Sequence, residues 1–327
     1  MENMQLRNVI DLYSDDLKRV EELMEGYLYS EVPLIPKVFN HLIGSGGKRL
    51  RPLLLLIVSD LCEYKEENRY PLSAVLEFIH TASLLHDDIV DHAKTRRGKA
   101  SANDIWGNSV CVLVGDFFYS KSFQLMTSHG NISIIKLLSA ATNTMSEGEV
   151  FQLTKVDDIN ITEREYLSVI EKKTAVLISA ACAAGGILAD APETKIEVLR
   201  RFGMSLGMAF QITDDTLDYI AAEDEFGKAT GADLREGKIT LPLIHTLKKC
   251  SSGDKNLIEK IINSKNPDRE DITEVVSLIK RYKGIDYALN KARECIEEGK
   301  GFLETFKDSE PKSSLLTISD YIIDRRL

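Results

Sequence analysis

The chain has 327 residues, 43% of them apolar, and a formal charge of −10. Such length and apolar content suit a folded protein with a sizeable core and exclude low-complexity disorder. The negative charge argues against nucleic acid and anionic membrane surfaces as partners, although it leaves room for a local basic pocket. Five scattered cysteines, Cys62, Cys111, Cys182, Cys250 and Cys295, show no CxxC spacing and read as reduced thiols in the cytoplasm. The acidic start MENMQLRNVIDLYSDD lacks a signal-peptide pattern, which supports the same location. The most apolar run, AVLISAACAAGGILA, has only 15 residues against the ~20 that span a bilayer, so no transmembrane segment is expected.

Along the chain, apolar residues recur at spacings of three and four, and no run alternates as a strand does. Helices are predicted over 7–29, 34–43 and 52–63, then from Pro71 through DDIVDHA, and over 108–128 and 132–154. Thr162 and Glu165 have capping-box spacing ahead of a helix reaching about Leu188, and Pro192 opens another that runs to Ala222. Shorter helices follow over 240–250, 254–264, 271–282, 285–305 and 313–325. No fixed repeat and no linker interrupts this series. The expected fold class is all-α, one domain over 1–327 in the form of a tall bundle.

Two segments place carboxylates among core-like side chains: LLHDDIVDH at 84–92 and QITDDTLDY at 211–219. On a helix, positions four apart share a face, so Asp87 pairs with Asp91 and Asp214 with Asp218, while Asp88 and Asp215 lie about 100° around. Their apolar neighbours argue that both turns face inward, as two confronting acidic surfaces. Buried carboxylate pairs need a cation, and oxygen-only ligands favour Mg²⁺ or Ca²⁺. Mg²⁺ usually completes its shell with substrate phosphates and water, so a phosphorylated substrate is implied. By contrast Asp15-Asp16 and Asp157-Asp158 lack a third carboxylate and read as solvated ends.

Complementary positive charge lies elsewhere. GSGGKRLRP brings Lys48, Arg49 and Arg51 to a glycine-rich turn at a helix start, and KTRRGKA puts Arg96 and Arg97 one turn beyond Asp91. EKKTA sets Lys173 and Thr174 in a helix, and Lys228 and Lys238 flank the loop after the second motif. Each alone fits a solvated face; beside two aspartate motifs, together they fit an anion site. His80, two turns before Asp87, suits either an anion ligand or a hydrogen-bonded core histidine. His86 reads as structural or as a support to the neighbouring aspartates, and Asp116 as a buried, hydrogen-bonded carboxylate, with a catalytic part as the lesser reading.

GGKRLRP, HTASLLHDDIVD, RRGKAS, VLVGDF, EGEVFQL, KTA, FQITDDTLDY and GADLREGKITLPLI, in this order, resemble the bacterial trans-polyprenyl diphosphate synthases, especially the octaprenyl-type long-chain members. The resemblance implies an isoprenoid synthase fold, an antiparallel bundle around a deep central cavity. It implies Mg²⁺ dependence, with three ions when substrate is bound, and a homodimer. It also implies repeated head-to-tail condensation of isopentenyl diphosphate onto an allylic diphosphate, with farnesyl diphosphate as primer and an octaprenyl (C40) product for quinone side chains. Carried over by position, Lys48, Arg51, His80 and Arg97 bind isopentenyl diphosphate. Arg96, Lys173, Thr174, Gln211, Lys228 and Lys238 serve the allylic diphosphate. Asp87, Asp91 and Asp214 are the metal ligands and, with Lys173, the catalytic set; Asp88, Asp215 and Asp218 support them.

Ala82 and Ser83 lie one turn below Asp87, where the growing hydrocarbon should descend. Both are small, whereas family members that stop early carry a bulky aromatic here. Larger residues near Leu137, Leu138 or Met145 would then form the floor. A geranylgeranyl-type synthase, a terpene cyclase and a non-catalytic partner subunit are the alternatives. The six retained aspartates oppose the last two.

Overall fold

Burial of apolar faces sets the architecture, and the computed structural model describes residues 4–44, 49–96, 98–220, 231–264 and 267–324 of the chain. Lys48, Arg97 and Lys228 lie outside the described residues. The chain is helical almost throughout: α1 Met4–Leu12, α2 Ser14–Tyr27, α3 Leu34–Ile43, α4 Leu50–Leu61 and α5 Arg69–Val90. A two-stranded hairpin pairs Thr95–Arg96 with Lys99–Ala100, and α6 Ala102–Trp106, α7 Asn108–His129 and α8 Ile132–Leu153 follow. Next come α9 Glu163–Ile170, a π-helical turn Glu171–Ala175, α10 Val176–Leu188 and α11 Glu193–Leu217. The chain closes with α12 Ala232–Arg235, α13 Leu241–Lys249, α14 Ser252–Asn263, α15 Arg269–Arg281, α16 Gly284–Leu303 and α17 Glu310–Asp324.

The predicted helix over 7–29 is two helices, because the chain turns at Tyr13, where φ is −103° and ψ 14°. Asp15 and Asp16 occupy the first turn of α2, where the positive end of the helix dipole favours acids. Asp16 is not a solvated end. It accepts hydrogen bonds from Arg69 Nη2 at 2.8 Å and from the Tyr70 hydroxyl at 2.7 Å. The capping box at Thr162 and Glu165 forms as the spacing predicts, with both reciprocal bonds present.

α4, α5, α10 and α11 form the centre. Leu53 to Val58 are all buried within 1% exposure, as are Leu177, Ala181 and Cys182 on α10. A helix this apolar on every side belongs inside a bundle, and these contribute most of the burial that holds the fold. Phe39, Phe78 and Phe118 meet at centroid distances of 5.7–6.0 Å, locking α3, α5 and α7 together. Among the described residues no helix is long and apolar enough to cross a membrane.

Candidate active site

Asp87 and Asp88 close the last turn of α5, and Asp91 caps it. Their partners come from three other segments. Lys238, after α12, donates from Nζ to Asp91 Oδ2 at 2.9 Å and to Glu236 at 2.7 Å. Lys173, on the π turn, stands 3.8 Å from Asp87 and donates to Glu149 and Gln152 of α8 at 2.8 Å each. Asp88 is 2% exposed and held by Arg96 in a bidentate fork, with Nη2 at 2.7 Å and Nε at 2.9 and 3.0 Å. The hairpin that carries Arg96 thereby anchors the first motif.

On α11 the second motif divides. Asp214 is exposed, whereas Asp215 is buried and accepts from the Tyr166 hydroxyl at 2.6 Å and from Gln211 Nε2 at 2.7 Å. Gln211 in turn accepts from the Thr174 hydroxyl at 2.8 Å. This series of bonds fixes the amide and hydroxyl, which line the same cavity as Lys173. Asp218 accepts from the backbone N–H of Ala232 and Asp233, each at 3.1 Å, and so ties the end of α11 to the start of α12. Its carboxylate organises the backbone leading to Lys238.

Burial dominates the electrostatics. It pushes the Asp87 carboxyl up to about 7 against the pull of Lys173, with Glu149 and Asp91 adding repulsion. Asp215 is pushed up to about 7 chiefly by burial, partly offset by its bonds to Tyr166 and Gln211. Among the described residues no three His, Cys, Asp or Glu side chains converge on one metal position. Asp87 and Asp91 instead lie against lysine ammonium groups. An oxygen-only donor set on a desolvated helix end fits a hard divalent cation that takes one or two carboxylates and draws its other ligands from phosphate and water.

Of the residues predicted for the other substrate, Arg51 opens α4 and its Nε is buried without a partner. Burial lowers its guanidinium to about 10. An unpaired buried cation edge of this kind is suited to an anion. Arg49 is instead engaged by Glu21 at 3.0 Å and Glu77 at 3.3 Å. His80 is half-buried. His86 Nε2 lies 3.2 Å from the Val112 carbonyl, in keeping with a structural part. Asp116 corrects the expectation of a buried carboxylate: its side chain is 62% exposed, on the outer face of α7, 3.7 Å from His86.

Sequence reasoning missed Glu149, Gln152, Tyr166 and Asp233. Glu149 and Gln152 are three apart on α8, a same-face spacing, and both stand in the EGEVFQL motif, which was the available signal. Asp233 is pushed well up by burial beside Asp215 and Asp218, and it stands in the GADLREGKITLPLI motif without a role read for it there. A cavity of about 110 Å³ opens between the π turn and α12, lined by Lys173, Lys238, Asp215, Tyr166, Val156 and Ile239.

Carboxylate-bearing helix ends faced by lysines, at one end of an all-helical bundle, define an enzyme class that handles multiply charged anions. Residues 32–279 match the profile described as "Polyprenyl synthetase". An octaprenyl diphosphate synthase of Haemophilus influenzae is 38% identical, over 98% of this chain and 98% of that protein. A decaprenyl diphosphate synthase of Rhodobacter capsulatus has a solved structure with TM-score 0.93 and 38% identity, covering 98% of this chain and 99% of that one. A polyprenyl synthase of Caulobacter crescentus, complexed with calcium and isoprenyl diphosphate, gives TM-score 0.94 and 36% identity over 98% of both chains. The chain belongs to the polyprenyl synthetase family and is a prenyltransferase.

Proposed function

We propose that the whole chain acts as one domain that condenses isopentenyl diphosphate repeatedly onto an allylic diphosphate, farnesyl diphosphate being the primer, to give an all-trans octaprenyl diphosphate in the cytoplasm. The observation that carries this is the meeting of Asp87 and Asp91 with Lys173 and Lys238 over an apolar helix end. Asp87, Asp91 and Asp214 would hold Mg²⁺, and the relative complexed with calcium and isoprenyl diphosphate supports a divalent cation. Bound Mg²⁺ ions supply positive charge against the diphosphate oxygens.

The chain's own groups do the rest. Lys173 and Lys238 transfer their donors from carboxylates to the allylic diphosphate and stabilise it as it leaves. Thr174 and Gln211, fixed by Asp215 and Tyr166, orient that group. Arg51, with Lys48, His80 and Arg97, holds isopentenyl diphosphate so that its alkene meets the allylic carbon. The apolar helix around the motifs excludes water from the cation formed there. Forming the new carbon–carbon bond leaves the positive charge on the isopentenyl unit, and the proton lost from the neighbouring carbon, which re-forms a double bond, goes to the departing pyrophosphate, so no protein nucleophile is needed.

Ala82 and Ser83 do not have equal parts in chain length. Ala82 is fully buried, one turn above Phe78 and the aromatic cluster, whereas Ser83 is half-buried on the face of Asp87. Leu138 and Met145 face inward from α8 while Leu137 is half-buried, which favours the first two as floor. Incubation with labelled isopentenyl diphosphate, farnesyl diphosphate and Mg²⁺ is expected to give a C40 product, and Ser83→Phe a shorter one. A dominant C20 product from the wild type, or an unchanged length in the variant, would defeat the length assignment.

A homodimer belongs to the same reading. Leu113 is 68% and Phe123 45% exposed on α7, with Ile132 65% exposed at the start of α8. Apolar side chains in such number on neighbouring helices call for a cover, and a second copy supplies one. Light scattering is expected to give twice the chain mass of 36.6 kDa, and Leu113→Glu to shift it toward the monomer. A monomeric wild type would refute the assignment.

A further inference from the structure

The π turn Glu171–Ala175 lies between regular helices and carries both Lys173 and Thr174. A π turn carries an extra residue and occurs mostly as a single-turn bulge within α-helices, frequently at functional sites. Glycine stands on two of its sides. On α8, a Cβ at Gly148 would lie 2.8 Å from Lys172 Cβ and 2.9 Å from the Lys173 backbone nitrogen. On α11, a Cβ at Gly207 would lie 2.5 Å from Ala175 Cα and 2.8 Å from its Cβ. Glycine inside a helix weakens it relative to alanine, so both helices give up local stability where they touch this turn.

We propose that Gly148 and Gly207 are positioning residues that grip the π turn from opposite helices and so set Lys173 and Thr174 against the allylic diphosphate. The proposal rests on the prenyl-transfer reading above. A methyl group on either wall displaces the backbone at Lys173 or Ala175, and the side chains move with it. Lys173 then loses its register with Glu149 and Gln152, both 2.8 Å from its Nζ, and Thr174 its bond to Gln211. Of the residues proposed for isopentenyl diphosphate, Arg51 lies on α4 and His80 on α5, and neither is among the nearest neighbours of a Cβ at Gly148 or Gly207.

Gly203 supplies the control. It lies on α11 one turn from Gly207, and its Cβ would come 2.7 Å from Ser179 Cα, but it meets the regular part of α10 rather than the π turn. Gly148→Ala, Gly207→Ala and Gly203→Ala are compared for kcat, for KM of each substrate, and for calorimetric binding of the unreactive thiolo analogue of farnesyl diphosphate. The first two are expected to raise the allylic KM and the analogue Kd by about tenfold or more, leaving the isopentenyl diphosphate KM unchanged. Gly203→Ala is expected to melt lower while keeping the allylic KM. Equal rises for both substrates, a rise as large in Gly203→Ala, or loss of fold in both clamp variants would overturn the proposal and leave these glycines a packing role. An inactive wild type would instead defeat the prenyl-transfer reading.

Discussion

Asp87→Asn is expected to lower turnover by about 10³-fold with the helical circular dichroism unchanged, because on the proposed reading it removes charge where diphosphate and cation would meet while keeping the side chain's shape. Retention of more than about a tenth of the wild-type rate would remove Asp87 from the cation site. The metal-free protein offers a second measurement on the same residue. An Asp carboxyl in the unfolded chain releases its proton near the ordinary value of 3.8, whereas burial holds that of folded Asp87 up to about 7. Between those values the native state binds more protons than the unfolded state, so this group's contribution to stability falls as pH rises through the window and levels off above it. In chelator, Asp87→Asn should therefore gain in melting temperature relative to wild type between pH 5 and pH 8. A difference independent of pH would show that burial does not govern the group. Cation binding should weaken below about pH 7, where protons compete for the same oxygen.

Arg69→Met is expected to destabilise the fold by about 3 kcal/mol, the lower part of the range for breaking a buried ion pair, since its partners keep some exposure. Arg69 is 7% exposed and donates to Asp60 at 2.7 Å, to Asp16 at 2.8 Å and to the Tyr70 hydroxyl at 2.8 Å. Its guanidinium lies 4.8 Å and that of Arg19 4.5 Å from the Tyr70 ring centroid. The group ties α2 and α4 to the start of α5, and methionine would leave two carboxylates facing each other without a cation. Arg69 precedes Asp87 by 18 residues, about 27 Å along the helix at about 1.5 Å per residue, so KM values should hold at temperatures where the variant is folded. Urea denaturation measures the loss, and a value under about 1 kcal/mol would show that the cluster is solvated in effect.

Helix existence was legible because the apolar period is strong; helix breaks were not. The split at Tyr13 had a signal in Ser14-Asp15-Asp16, an acidic helix start, which the continuous apolar pattern across 7–29 outweighed. The π turn had none, since Lys172, Lys173 and Thr174 fit an ordinary helix, and its width arises from tertiary contacts with α8 and α11. Spacing identified the carboxylates as a set but left their division of labour open. Asp87 and Asp91 meet lysines, Asp88 meets Arg96, Asp215 meets Tyr166 and Asp218 meets backbone N–H groups. Arg96 lies only 8 positions from Asp88, but the lysines come from distant segments, Lys238 lying 147 positions from Asp91 in the chain. No local pattern encodes such a pairing; the topology of the bundle creates it.

Lys173 and Lys238 act as resident counter-ions. They lie against carboxylates that burial would otherwise strain. On the proposed reading, an arriving diphosphate with its cations exchanges one set of ion pairs for another. Each ammonium trades a carboxylate oxygen for a phosphate oxygen, and each carboxylate trades an ammonium for a metal. Little net charge is created or abolished in a place where uncompensated charge is costly. Affinity should then depend only weakly on ionic strength. A site that must empty and refill with every isoprene unit added would return to the same set of ion pairs after each cycle, whatever the length of the tail below it.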